Sequence, residues 1–418
     1  MGSDKIYKGK ININADKKIS LAIMGSFIVL TLQYAILLYF DLLEGNAVAS
    51  LVQLFSKGFV GLLYLYALPS VLKRNNKYFL ITYFIFLFVF FVQFAFFPDN
   101  RPLLLSVVFQ IFFMDVPTFI YALSIKNLGT LKRIMRNVSY IVFMIGSLIG
   151  ASVLTGRVDV GDYSMSLSYY MLLPAIMFFD QLLEKFSIKH LVFLGLTLSV
   201  ILAVGSRGAI MCILAFILLR FFKTKNSVKQ LIKKFTVIGL AIISILFLER
   251  VLLGLYNFLL QFGIDSRSLQ LFSSGELSLS GRDSLYKTVL RQIWESPILG
   301  IGIEGDTRIL GNGYVHNFFI ELIGDFGIIV GGVLTILLLF IIIYNLFFNN
   351  NDKYNMAIIW LSLGFVHLMV SSSYLIDIKF WIFLGILVNQ LLRNNKQVEY
   401  AQQKNSNIYR KRGSRVYG

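Results

Sequence analysis

Four residues of this chain have types and settings suited to anion chemistry: Arg207, Arg282, Arg291 and His316. An arginine presents a planar fork of donors that pairs bidentately with phosphate oxygens. A histidine takes up a proton near neutral pH without special tuning, as a general base acting on a hydroxyl must. Arg207 lies in the short turn Gly205-Ser206-Arg207-Gly208 between two apolar runs, where the glycines let a ligand approach its guanidinium. The competing role is that of a snorkelling anchor for a tight hairpin. Arg282 and Arg291 belong to the segment RDSLYKTVLRQIW, and His316 stands at the head of an apolar segment, where capping or packing is its alternative role. Cations to hold a departing diphosphate and a base to activate an incoming hydroxyl are what transfer from a lipid-linked diphosphate sugar requires. Diphosphate leaves readily, so this chemistry calls for no metal and no cofactor. No His, Cys and carboxylate cluster has metal-ligand spacing, and neither G-x-S-x-G nor H-E-x-x-H occurs.

Gly300, Gly302 and Gly305 match G-x-G-x-x-G by count. A dinucleotide site also needs a strand before the glycines, a helix after them and an acidic residue on the next strand. The sequence continues instead as DTRILGNG, which is turn chemistry. The glycines are therefore expected to let the backbone pass close to its neighbours. A weaker alternative has their amides lining an anion pocket.

The elements that must position these residues are membrane helices. The 418 residues are 57% hydrophobic and 15% charged, with a mean hydropathy of +0.73, whereas roughly a quarter of residues are charged in soluble domains. Apolar runs long enough to cross a bilayer recur at about 19–39, 47–72, 78–97, 102–125, 138–155, 167–183, 190–205, 208–222, 235–260, 328–348, 355–373 and 376–392. The expected fold is all-α and polytopic, with about 12 transmembrane helices. One partly helical extracytoplasmic loop is expected between the ninth and tenth. The division is a cytoplasmic tail (1–18), helices one to nine (19–260), the loop with the chemical segment (261–327), helices ten to twelve (328–392) and a basic, disordered tail (393–418).

The net charge of +17 is distributed as a membrane protein requires, not as a nucleic-acid groove. Lys5, Lys8, Lys10, Lys17 and Lys18 precede the first span, Lys73, Arg74 and Lys77 follow the second, and Lys126, Lys132, Arg133 and Arg136 follow the fourth. Asp41, Glu44 and Asp99 fall in the intervening loops. This alternation puts both termini in the cytoplasm and the long loop outside, and the first span reads as retained rather than as a removed signal. Within the loop, Ser280 is placed to cap a helix whose stripe is Leu285, Val289, Leu290 and Ile293, with Pro297 just beyond its end. Cys212, the single cysteine, lies in an apolar run. Lys57, Asp115 and Asp180 are costly in lipid and must face protein or water; Lys57 and Asp115 are suited to pair. Asp115 beside Pro117 also keeps open a broken transporter helix. His190 reads as interfacial, and His367 as a buried partner or a second site residue.

These residues resemble the bacterial O-antigen polymerase (Wzy) and O-antigen ligase (WaaL) proteins over about 200–332. VGSRGA at 204–209 looks like that family's SRG turn, and SGRDSLYKTVLRQIWESPILGIG at 280–302 like its GR helix and the segment after it. YVHNFFIELIGDFGIIVGG at 314–332 looks like its His-Asn segment. The resemblance implies an integral enzyme of the cytoplasmic (inner) membrane that acts on undecaprenyl diphosphate-linked glycans at the outer face. Arg207 and Arg282 would hold the diphosphate, with Arg291 assigned by position alone. His316 would be the base, and Asn317, Glu321 and Tyr314 would shape the site. Its partners would be the lipid-linked donor and acceptor, membrane lipids, and a chain-length regulator and flippase of the same pathway. The ligase pattern H-[NSQ]-x9-G-x-x-[GTY] is met at His316, Asn317 and Gly327, but Val330 stands at its last position. The context of Tyr314, Val315, His316, Asn317 and Glu321 leans toward a polymerase of lipid-linked repeat units. A ligase remains the alternative, and a lipid-linked oligosaccharide flippase is the rival of another class.

Overall fold

The computed structural model describes residues 13–42, 46–154, 165–204, 207–222, parts of 250–261, 282–311 and 313–394. Among these the regular structure is helical. The helices are α1 (Ile13–Tyr39), α2 (Ala47–Phe96), α3 (Pro98–Ser124), α4 (Leu128–Leu154), α5 (Ser166–Glu184), α6 (Ile188–Val204) and α7 (Arg207–Phe222). The second half contributes α8 (Arg282–Glu295), α9 (Gly305–Ile309), α10 (Phe318–Phe348), α11 (Asn351–Val370) and α12 (378–394). Seven of the described helices are long and apolar enough to cross a membrane, and α6 and α7 add shorter apolar stretches. The expected ninth span, 235–260, falls largely outside the described residues, as do Ser280 and the Gly205-Ser206 half of the arginine turn.

α2 holds two of the expected spans. At 50 residues it would be about 75 Å long if straight, but Asn75 leaves helical geometry at φ −143°. Lys57 lies over Phe109 and Asn75 bonds Ser124, while Tyr83 bonds the Phe112 carbonyl and Phe90 packs on Phe112. Both halves therefore run along α3 in opposite directions, and the chain folds back at the basic stretch around Arg74.

The end of the bundle marked by that turn is held by buried ion pairs. Asp16 accepts from Arg74 at 2.6 Å and from the Lys126 amide at 2.8 Å. Asp180, fully buried in α5, lies 2.6 Å from Lys132, 3.7 Å from Arg220 and 3.9 Å from Arg136. Removing a buried carboxylate leaves its cations uncompensated. Asp180→Ala is accordingly expected to cost about 3 kcal/mol, read as a lower melting temperature in detergent, whereas a melt equal to the parent would show that Asp180 holds nothing together. The expected Lys57–Asp115 pair does not form: Asp115 accepts from Gln110 at 2.9 Å, and Lys57 sits over the Phe109 ring. The cause is local. A π-helical turn at Gln110–Asp115 brings Gln110 back onto the Asp115 carboxylate. His190, as expected of an interfacial residue, is partly exposed and bonded to the Tyr140 hydroxyl at 3.0 Å.

At the opposite end, α8 forms from the expected segment and stops at Glu295, two residues before Pro297. Val289 and Ile293 are buried against Ile301 and Val315, and Tyr286, Ile320 and Ile323 pack around them. Leu290, expected in the same stripe, is exposed instead. α10 begins at Phe318, ten residues before the expected membrane boundary, and breaks at Gly327. The segment 318–326 leans on α8, and the long apolar run continues beyond the break.

Candidate functional site

The local sequence explains why His316 is held where it is. Asp306, at the start of α9, accepts the Val315 amide at 2.9 Å, and buried Val315 anchors the strand-like stretch from below. Asn317 then caps α10, its side-chain oxygen accepting from the Phe319 and Ile320 amides at 3.1 and 3.3 Å. Between these two fixed points His316 adopts φ +54°, a left-handed conformation that non-glycine residues adopt rarely and mostly where surroundings impose it. Its Nδ1 is buried with no hydrogen-bond partner among the described residues. Burial first, and the positive charge of Arg282 second, push the imidazole down to about 4. The ring is therefore neutral at physiological pH and has a lone pair to accept a proton. Arg282 acts on His316 through this charge, so the structure brings these two expected residues together.

Arg291 is not brought to them. Nine residues along α8 place it about 13 Å from Arg282 on the opposite face, and its side chain is exposed. Asn317 shapes the site as a cap. Glu321, one turn into α10, is buried and accepts from the Ser373 hydroxyl, and Asp325 likewise accepts from Tyr374. These two acids tie α10 to the 371–377 segment.

Tyr314 is the joint of the site. Its ring lies 4.2 Å from that of His316. It also lines a cavity of about 520 Å³ among α1, α2, α3, α5, the 371–377 segment and α12. Burial raises the Tyr314 phenol, and Ser371 and Ser372 bond to it. Tyr169 and His367 line the same cavity, their rings tilted by 48° with centres 4.0 Å apart. His367 Nδ1 lies 2.5 Å from Asp377 Oδ2, and Lys379 lies 3.0 Å from His367 Nδ1 and 3.4 Å from Asp377 Oδ2. Asp377 is thus held from two sides, by His367 and by Lys379. His367 is thus buried and partnered, as one of its two expected roles required.

Arg207 opens α7, and the backbone of the next residue packs against α5 and α11. A β-carbon on neighbouring Gly208 would overlap the Tyr169 hydroxyl and lie 3.0 Å from Val370.

The glycine segment has the structural role expected of it. Gly300 and Gly302 have φ of +76° and +77°, and a β-carbon on Gly300 would overlap the Gly324 carbonyl oxygen of α10. The Ile301 amide bonds Gly324 O at 2.7 Å, that of Ile303 bonds Gln93 at 3.0 Å, and those of Gly300 and Gly305 bond Ser296 and Gly302. With these amides engaged inside the protein, they do not line an anion pocket. The chain after Gly305 departs from the expected turn by forming the short helix α9, entered through Glu304 at φ +63°.

Residues 192–335 match the family model Wzy_C, described as O-antigen ligase. The matched region contains the motifs at Arg207, Arg282 and His316. It runs from α6 through His316 into α10, past the break at Gly327. No curated protein and no solved structure matches the chain. Tyr169, His367, Asp377 and Lys379 lie outside the matched region and were not singled out together by sequence. Their signal was faint: a polar SSSYLIDIK stretch between two apolar runs, and a tyrosine pair at the head of α5.

Proposed function

We propose that this protein is a membrane glycosyltransferase that polymerises undecaprenyl diphosphate-linked repeat units into an O-antigen or capsular polysaccharide. The observation that carries the reading is His316, neutral, held at φ +54°, under the positive charge of Arg282 and packed on Tyr314, which lines the neighbouring cavity. The acceptor hydroxyl attacks the anomeric carbon of the donor glycan, the carbon–oxygen bond to the diphosphate breaks, and the carrier diphosphate departs with the bonding electrons. His316 receives the hydroxyl proton. Arg207 and Arg282 hold the diphosphate and stabilise the charge that grows on it. A diphosphate bound at Arg282 would offset the cation that weakens His316, making the imidazole more basic when substrate is in place.

The alternating charge of the loops supports an inner-membrane protein with both termini cytoplasmic and the site at the outer face. A ligase reading uses the same donor chemistry with a finished lipid or wall acceptor, and the description of the matched family favours it. Tyr314, packed on His316 in the polymerase-like context ending at Glu321, favours the polymerase. The test is conversion of a purified lipid-linked repeat unit to polymer by the purified protein. Polymer is the expected product; transfer only to a lipid core would make it a ligase. In a deletion strain, single repeats should accumulate on the outer face. Repeats trapped inside would indicate a flippase and overturn the enzyme reading.

A further inference from the structure

The cavity behind Tyr314 has a chemical character of its own. Two lysines reach it, Lys57 from α2 and Lys379 from α12, together with the hydroxyls of Ser371, Ser372 and Tyr170. Among the described residues Asp377 is the one carboxylate that lines it, and it is already held by His367, Lys379 and the Lys379 amide at 2.9 Å. His367 is 4% exposed, lines the cavity, and has an Nε2 with no hydrogen-bond partner among the described residues. The lining thus offers donors and positive charge in excess of the single acidic group that balances it.

We propose that this cavity is a second oxyanion subsite, which takes the phosphate or diphosphate of a polyprenyl carrier on Lys379 and Lys57. It lies on the other side of Tyr314 from Arg282 and His316. Lys379 is the central ligand. Its counter-ion Asp377 has a second partner in His367, so Lys379 can turn from Asp377 to a phosphate oxygen without leaving a buried carboxylate alone. His367 and Asp377 are positioning residues. The inference rests on the proposed polymerase chemistry, which needs two lipid-linked diphosphates at once, one as donor and one as acceptor. A ligase needs one. Two cationic seats separated by one aromatic ring fit the former.

The test counts bound lipid by native mass spectrometry of the full chain in nanodiscs titrated with undecaprenyl diphosphate. The parent should take two equivalents, Lys379→Met one, and Lys379→Arg two, with affinity for the second equivalent reduced at least tenfold in Lys379→Met. Arg282→Ala should lose the other equivalent. If Arg282→Ala binds two and Lys379→Met binds one, the subsite stands and the role given to Arg282 fails. If Lys379→Met binds two as the parent does, the subsite is overturned. Amine acylation of the unmutated protein gives a readout that no folding defect can confuse. Undecaprenyl diphosphate should protect Lys379, and undiminished labelling at saturation would also overturn the proposal. Adding inorganic diphosphate identifies the source: release of the Lys379-dependent equivalent means that the oxyanion alone is recognised, and retention means that the lipid-linked headgroup is required.

Discussion

His316→Ala is expected to lower glycan transfer by roughly 10²–10⁴-fold, the range over which a positioned base contributes, while the protein still inserts and melts close to the parent. The argument is geometric. His316 is fixed between the Asp306–Val315 bond and the Asn317 cap, so the change removes the imidazole without removing either anchor, and it relieves a burial of polar nitrogen. The pH profile separates a base from a packing residue. With the imidazole held at about 4 by burial and by Arg282, His316 stays neutral through the physiological range and its protonation should not limit the parent until pH approaches that value. Arg282→Gln removes the cation, moves the imidazole upward and should shift the acid limb to higher pH, besides weakening the hold on diphosphate. The stability linkage has a definite sign. The unfolded histidine binds its proton at higher pH than the folded one, so His316 leaves stability at its full value above the ordinary histidine range and lowers it as pH falls toward about 4. Deleting His316 should flatten that part of the stability curve. Unchanged polymer yield from His316→Ala would end its assignment as base.

The parts of this site that could be read in the sequence are those encoded by neighbours along the chain. α8 was legible because its apolar residues recur at helical spacing and Pro297 follows its end; the cap at Asn317 was not, since a capping role was expected only as the alternative for His316, one residue earlier. That the chain is built of long apolar helices was legible because lipid demands long apolar runs. Leu290 was misplaced because periodicity gives a stripe but not its edge, which depends on where Val315 and Ile320 approach. The Lys57–Asp115 pair failed because a π-turn, which has no sequence signature, hands Asp115 to Gln110. The His367, Asp377, Lys379 and Tyr169 cluster was hidden for another reason: it joins α5, α11 and α12 across some 200 residues of chain, and each member alone has an ordinary role. The apparent nucleotide fingerprint carried a real signal about backbone approach and a false one about ligand.

Gly327→Ala is expected to destabilise the protein by about 3 kcal/mol or more and to abolish transfer, although Gly327 touches no proposed substrate. Its φ of +76° and ψ of +170° lie in a region open essentially to glycine alone. A β-carbon there would overlap the Ile298 carbonyl oxygen and lie 3.1 Å from the Gly300 nitrogen. Strain in that region costs about 1–3 kcal/mol. Relieving the overlap would also pull apart the bonds from Ile328 to the Pro297 carbonyl and from Ile301 to the Gly324 carbonyl, at 2.8 and 2.7 Å. The same glycine break lets 318–326 lean on α8 while 328–348 takes its own direction. A continuous helix would have to swing one of these segments, and the first carries Asn317 and His316 at its head. Gly332→Ala is the control: it sits five residues further along the same helix with open space around its β-carbon position, and alanine there should be neutral or stabilising by up to about 1 kcal/mol. Detergent melts, protease sensitivity between residues 296 and 311, and polymer yield should separate the two variants on all three measures. Equal melts and equal yields would mean that the helix break does not position His316, and that the strained histidine is held by Asp306 and Asn317 alone.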